Sequence, residues 1–372
     1  MARTGAPQAA RRSGRGSKAL AAADALLGAC RQALAQGPDA PLAAERELAA
    51  SLGISRRTLQ QALHILDACG VIRSEQGRGN YPQPEAGWRA LPAGGARLLL
   101  ALAERQRGTY LFDELRAGIA GAAAAAGAEL TVIEPAELEA RSADRKFLGQ
   151  FRGLVLIDPP SLFLVAALLD HSARPVVVLE HAIRDLPVVS VCDGAFRGAC
   201  DAVKALVALG HRRIALLDRE DWAVANPAKY AGYHAGLVLA GLDAGRELVR
   251  LVPDRDLEPA VARQMAELMA LAEPPTAVIC VREAPAMVVL DWMGRSGLVP
   301  GRDLSVIGSG DGAYRQRRFR KLSSIRVHFR RMGELAALEA LCAERSAQMR
   351  TIIVLNRLKL RDTVGPPRAP FG

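Results

Sequence analysis

Arg56, Arg57, Gln60 and Gln61 recur at a spacing that puts all four on one face of a helix. Guanidinium and carboxamide groups in such a row form hydrogen bonds to base edges and phosphates. The opposite face is apolar, with Leu59, Ala62, Leu63 and Leu66 at i, i+3, i+4 and i+7. Ser55 is suited to cap the amino end of this helix, and Gly70 to end it with a positive φ. Val71 and Ile72 then start a strand, Gln76-Gly77-Arg78-Gly79 makes a basic turn, and Asn80-Tyr81 leads back. With the short helix before it, residues 42–82 read as helix, turn, helix and wing, a winged helix-turn-helix whose second helix fits the DNA major groove. The plainer reading is a small helical subdomain with a solvated arginine face. The order of the elements and the Gly-Arg-Gly wing tip favour DNA.

Other chemistry finds little support. His64, His171, His181, His211, His234 and His328 are scattered, without an HExxH or another metal-ligand pair. Gly308-Ser309-Gly310-Asp311-Gly312 is glycine-rich but lacks the lysine of a phosphate loop, and no GxSxG elbow occurs. An enzyme is therefore not expected, nor a metal site or a cofactor. The cysteines (Cys30, Cys69, Cys192, Cys200, Cys280, Cys342) lie far apart with no CxxC pair, which predicts buried, reduced thiols.

The 372 residues are too many for one ordinary domain, and a 50% hydrophobic composition can bury a large core. No apolar run approaches the roughly 18 residues of a membrane span, and no convincing export signal opens the chain, so a cytoplasmic, non-membrane protein is expected. The net charge of +10 suits a polyanionic partner. Arg3, Arg11, Arg12, Arg15 and Lys18 stand without an acid in a Gly/Ser/Ala background, so residues 1–17 read as a disordered basic arm. That arm would attract phosphates or serve as a solubilising tail. A first helix is expected over 18–36, a winged helix-turn-helix domain over 18–82, and a Pro/Gly/Ala-rich linker over 83–95.

The stretch ERELAASLGISRRTLQQALHILDACGVI…QGRGNY resembles the DNA-binding domain of the GntR family of bacterial regulators. By that resemblance Arg46, Ser55, Arg56, Arg57, Thr58 and Gln60 would face DNA, while Gly77 and Arg78 would reach an adjacent groove or phosphate. Two departures stand out. Ala43-Ala44 replaces the usual Pro-Ser, removing a helix cap worth about 1 kcal/mol. Gln60 stands where the family often has Arg, which shifts the base preference from guanine toward adenine.

Beyond residue 96 the pattern becomes alternating strands and helices. Strands are expected at 97–102, 129–133, 153–157, 175–179, 188–191, 213–217, 248–252, 277–281 and 304–307. Helices are expected between them at 112–126, 198–209, 231–240, 258–271 and 284–294. Such alternation predicts an α/β fold of parallel sheets covered by helices, in two doubly wound subdomains. The stretches VCDGAFRGACDAVKALVALGHRRIALL, AKYAGYHAGLVLAGL, PTAVICVREAPAMVVLDWMGRSGLVPGRDLSVIGSGDG and LSSIRVHFRRMGELAALEAL follow in order. They resemble the effector-binding domain of lactose-repressor-type regulators, of the periplasmic-binding-protein-like type I fold. The pairing of the two domains resembles arabinose-repressor-like regulators. An effector-binding and dimerisation domain over 96–365 and a tail over 366–372 follow from this resemblance.

Strand ends and motif positions nominate Tyr110, Phe112, Asp158, Glu180 and His181 in the first subdomain as effector contacts. Asp193, Trp222, Lys229, Arg282, Glu283 and Asp311 complete the set. Aromatic faces and bidentate charged groups are what sugar and nucleoside sites use. Packing is the plainer role for the aromatics, and a helix cap for Asp193. The family's Asn-Asp is Arg282-Glu283 here, its Arg before Ala-Gly is Lys229, and Gly-aromatic-Asp-Asp has become Gly308-Ser309-Gly310-Asp311. Either the ligand differs, with an anionic group near Lys229 and Arg282, or small-molecule sensing is altered or lost. The run 315–331 carries eight Lys and Arg residues and no acid. It reads as a solvated loop followed by a strand with basic exposed positions, in preference to a second nucleic-acid contact.

The expectation is a ligand-responsive DNA-binding transcriptional regulator, a repressor, that binds an inverted-repeat operator in double-stranded DNA as a homodimer, with a sugar or related small metabolite as effector in the interdomain cleft. Two rivals remain. One is a DNA-binding regulator whose sensor domain only dimerises; the other is a solute-binding protein.

Overall fold

The computed structural model describes residues 10–75, 77–103, 109–159, 161–219, 227–243, 245–253, 256–312, 321–342 and 349–368. The chain forms two units. Unit 1 comprises Met1–Cys192 and Phe329–Ile352, and unit 2 comprises Asp193–His328 and Ile353–Gly372.

Unit 1 opens with α1 (Ala10–Gln36), α2 (Glu45–Ser51) and α3 (Arg56–Ala68), followed by β1 (Ile72–Glu75) and β2 (Gly79–Pro82). The first helix therefore begins at Ala10 rather than at residue 18, and residues 10–17 belong to it. The apolar stripe of α3 buries Leu59, Ala62, Leu63 and Leu66, and α1 buries Ala19, Ala22, Ala23 and Leu26. These two faces pack on each other and make the core of the head.

The remainder of unit 1 is β3 (Arg97–Ala101), α4 (Tyr110–Ala125), β4 (Glu129–Ile133), α5 (Pro135–Ala140), α6 (Arg145–Leu148), β5 (Gly153–Ile157), α7 (Leu162–His171), β6 (Val176–Leu179) and β7 (Val189–Asp193). Unit 2 contributes α8 (Ala195–Ala208), β8 (Ile214–Arg219), α9 (Pro227–Leu239), β9 (Val249–Val252), α10 (Leu257–Met269), β10 (Ala277–Cys280), α11 (Glu283–Arg295), β11 (Ser305–Gly310) and β12 (Ser323–Arg326). The chain then returns to unit 1 as α12 (Phe329–Cys342) and leaves again along β13 (Arg350–Val354), ending with β14 (Arg357–Lys359) in unit 2.

The sheet orders are β13-β7-β6-β5-β3-β4 and β14-β12-β11-β10-β8-β9. Strands β3 to β7 pair in parallel, as do β8 to β12, while β14 runs antiparallel to β12. Strand parity explains the helix layers. In β10, Val278 and Cys280 join the core under α10 and α11, whereas Ala277 and Ile279 join the one under α8 and α9. In unit 1, Leu154 and Leu156 of β5 face the cluster that holds Leu164 and Leu168 of α7. A strand covered on both faces must be apolar at every position, and β5 is buried throughout. This is the doubly wound α/β architecture expected from the sequence.

Helices α4 and α12 approach through glycine. A Cβ on Gly118 would run into the Arg330 carbonyl, and one on Gly333 into that of Leu115. The head leans on the same pair of helices, α1 against α4 and α3 against α12. All six cysteines are buried, and none is in a disulfide. Among the described residues no helix is long and apolar enough to cross a membrane.

Candidate nucleic-acid interface

Ser55 caps α3, its Oγ accepting from the Thr58 backbone N–H at 3.1 Å and lying 2.9 Å from Thr58 Oγ1. Ala44 occupies the corresponding place before α2 and offers no side-chain hydrogen bond, as the missing Pro-Ser implied. Gly53, at φ 61°, turns the chain between the two helices. The polar face of α3 is open, with Arg56, Arg57 and Gln60 all exposed, and so is Arg46 of α2. One carboxylate restrains this face. Glu45 Oε2 lies 3.6 Å from Arg56 Nε and accepts from Gln60 Nε2 at 3.4 Å. Exposed pairs of this kind contribute at most about 1 kcal/mol, so a phosphate or base edge can displace them.

The wing is the β1–β2 hairpin, in register Ile72↔Pro82 to Glu75↔Gly79. Gly77 sits at its tip at φ 80°. Arg78 is 78% exposed, with Glu75 at 3.7 Å as a weak partner. Ser55, Arg46, Arg56, Arg57, Gln60, Gly77 and Arg78 thus all lie exposed on the head, with Thr58 half-buried beneath the cap.

The rest of α3 is turned toward α12. His64 Nδ1 lies 3.6 Å from Glu334, and Asp67 lies 3.6 Å from Arg331. Burial and then the Arg331 charge lower His64 to about 4, so it is neutral near pH 7. Burial, only partly offset by Arg331, raises the Asp67 carboxyl above its usual range. The segment after the wing is tied down as well. Gln83 N–H donates to Val71 O at 2.8 Å, Trp88 Nε1 donates to Gln83 O at 2.6 Å, and Arg31 lies over the Trp88 ring. No spacing rule relates Arg89 to Glu339, 250 residues away, yet they bond at 3.1 Å.

The nominated effector contacts separate by unit. In unit 1, Asp158 and Glu180 follow β5 and β6 at φ 49° and 73°, conformations that L-residues adopt at a cost. His181 Nε2 meets Asp158 Oδ1 at 2.7 Å, and that hydrogen bond raises the His181 pKa. Tyr110 stacks edge-on against Phe329, and Phe112 is buried.

In unit 2 several of the charged candidates are already held by neighbouring groups. Arg282 lies 3.8 Å from the buried Asp218, and Lys229 Nζ donates to Val281 O at 3.3 Å. Asp311, at φ 65°, takes Arg361 at 2.7 Å and Arg326 at 3.8 Å. Glu283 opens α11 immediately after Arg282, beside Gly310. Asp193 does not cap α8; Gly194 is the cap residue, and Asp193 Oδ2 instead accepts from Asn356 Nδ2 at 2.9 Å. A cavity the size of a single water lies beside Lys229, Ser309 and Asn356. Trp222 and residues 315–320 lie outside the described residues.

His211 has a packing role. It is buried between Thr276 Oγ1 and Gly365 O, each at 2.8 Å, and burial lowers its pKa. The described part of the basic run is paired with acids, Lys321 with Asp362, Arg326 with Asp311 and Arg330 with Glu114. The run contains the strand Ser323–Arg326, as expected of its later part, but its last residues open α12. Among the described residues no group of three or more His, Cys, Asp or Glu is placed to hold a metal ion.

Comparison with known proteins gives two family matches. Residues 31–81 match the family described as bacterial regulatory proteins, gntR family, and residues 203–364 match the periplasmic binding protein-like domain. The first match covers the winged head, and the second covers most of unit 2 with α12. It is 26% identical over 192 residues to the probable HTH-type transcriptional repressor ExuR of Bacillus subtilis (strain 168), covering 51% of this chain and 57% of that one. It is 24% identical over 283 residues to the lactose operon repressor of Escherichia coli (strain K12), covering 74% and 77%. The chain spans about half the length of the first curated relatives it matches. Among solved structures, a LacI family transcriptional regulator from Enterococcus faecium with bound ribose superposes with a TM-score of 0.61 at 19% identity, over 73% of this chain and 100% of that one. That likeness establishes the fold of the periplasmic-binding-protein-like domain.

Proposed function

We propose that this chain is a transcriptional repressor that binds double-stranded DNA through α3 and the wing and releases it in response to a small metabolite. The observation that carries the reading is the capped α3 with Arg56, Arg57 and Gln60 exposed, in a segment that matches the gntR family. Phosphate contacts from Arg46 and Arg78 would position the head, and contacts from Arg56 and Gln60 would read bases. The family resemblance supports a cytoplasmic homodimer on an inverted repeat, with the segment 83–95 joining head to sensor. The ribose-bound relative supports a sugar as effector, drawing on groups at the carboxyl ends of the strands.

Selection from random duplex DNA tests the first half of this reading. An enriched inverted repeat, bound with a salt-dependent affinity, is the expected result; no enrichment would reject it.

One observation favours a second reading, in which the sensor domain only dimerises. Asp311, Arg282 and Asp218 already engage one another or neighbouring arginines. A thermal-shift screen with neutral sugars, sugar phosphates and nucleosides separates the two. The effector reading predicts a stabilising hit that also releases DNA, and the dimerisation reading predicts neither.

A further inference from the structure

Glu339 is a carboxylate on α12, flanked on its face of the helix by the buried Ala336 and Cys342, and its side chain is 4% exposed. A buried carboxylate is tolerated only when it is paired. Two guanidiniums pair with it. Arg89 Nη1 donates to Oε2 at 3.1 Å and Nη2 lies 3.5 Å from Oε1, while Arg350 Nη2 contacts Oε1.

Each arginine carries a further tie. Arg89 also donates from Nη2 to the carbonyl of Ala68, the last residue of α3, and its backbone N–H donates to Cys69 O at 2.8 Å. It thereby satisfies orphan carbonyls at the end where the helix dipole favours a cation. Arg350 opens β13, the strand along which the chain passes from unit 1 to unit 2, and its N–H donates to Val188 O at 3.1 Å.

We propose that Glu339 is a positioning residue for DNA binding: through Arg89 it holds the carboxyl end of α3 against α12, and through Arg350 it makes that hold depend on β13. The proposal rests on the DNA-binding reading above. Its logic is competition. Two guanidiniums on one carboxylate repel each other, so withdrawing Arg350 tightens the Arg89–Glu339 pair, whereas neutralising Glu339 releases Arg89.

The molecule carries a reporter at this junction, because the buried Cys69 thiol, beside α3, donates to Ala90 O at 3.6 Å next to Arg89, and the buried Cys342 lies on α12. The experiment measures iodoacetamide labelling of each cysteine by peptide mass spectrometry in the full chain. It also measures the affinity of the same proteins for a duplex that the unmodified chain selects from random sequence. Glu339→Gln should label Cys69 and Cys342 about tenfold faster, with Cys280 in the unit 2 core unchanged. Arg350→Ala should label the pair severalfold more slowly, Arg350→Lys should restore the original rate, and the two altered rates should go with opposite changes in DNA affinity.

Shifts of both variants in the same direction, no shift in either, or labelling changes without a change in affinity would overturn the proposal. If Glu339→Gln also exposes Cys280, the fold is lost, and Arg350→Ala decides alone, since that side chain is 47% exposed. Slower labelling then supports the coupling, and unchanged or faster labelling rejects it. A chain that selects no duplex refutes the DNA reading and this proposal with it, an outcome told apart because the thiol rates are read without DNA.

Discussion

Replacing Arg56 with Ala removes an exposed charge from the open face of α3. The side chain is 79% exposed and its ion-pair partner is Glu45 at 3.6 Å. An exposed pair at that distance contributes at most about 1 kcal/mol, so the folded state should hardly notice the loss. DNA binding should notice it. A guanidinium that reads a base contributes about 1–3 kcal/mol, so affinity should fall by roughly tenfold to a hundredfold. If Arg56 contacts a phosphate instead, the slope of log K against log salt should shrink by about 0.9 per head. Fluorescence anisotropy on the selected duplex, titrated between low and moderate salt, measures both quantities. Loss of discrimination among operator variants marks base readout, and a uniform loss with a shallower slope marks a phosphate contact. An unchanged affinity, preference and slope, with the thermal transition also unchanged, would refute the assignment of this face to DNA.

Three further outcomes follow from local geometry. Ser55→Ala removes the cap hydrogen bond to Thr58 N–H and should destabilise the head by about 1 kcal/mol in chemical denaturation, whereas no change would mean that the cap contributes nothing. His64 is held neutral, with a pKa lowered from 6.5 to about 4, so the folded state binds fewer protons than the unfolded one. Its contribution is complete above pH 6.5 and is lost as pH falls toward 4; with the side chain 40% exposed the loss should be about 1–2 kcal/mol, and His64→Gln should flatten that part of the stability profile. Gly118→Val forces α4 away from the Arg330 carbonyl and should destabilise unit 1 by about 2–3 kcal/mol, while the same change at the exposed Gly121 should spare it.

Much of this architecture was legible because strands buried on both faces leave a plain record. The β5 run Gly153–Ile157 and the period of α3 both emerge at their expected places. The record is weaker where the pattern is short or mixed. Strands β12, β13 and β14 span three to five residues each, carry arginine or lysine, and are fixed by pairing rather than by hydropathy. Helix α7 (LFLVAALLDH) is apolar nearly all round, so it has no stripe to read.

The residues proposed to face DNA were visible because capping, glycine punctuation and charge act locally. The ties that hold the head to its neighbour were not. Arg89 and Glu339 meet across 250 residues, and Asp67 meets Arg331 only because α3 packs on α12. The same limit applies to unit 2, where Asp311 and Arg282 stood out as ligand contacts, and only the fold revealed the charges that neutralise them.

The central claim, that the exposed face of α3 enters the major groove of a palindromic site, can be read directly. All six native cysteines are buried, so a single Gln60→Cys on that face can carry an iron chelate that cuts nearby DNA by hydroxyl radicals. On the selected duplex the account predicts two groups of cuts in the major groove, related by the dyad of the site and separated by about one helical turn or a multiple of it. Cuts spread evenly along the duplex, or none at all under conditions where the protein is bound, would contradict it.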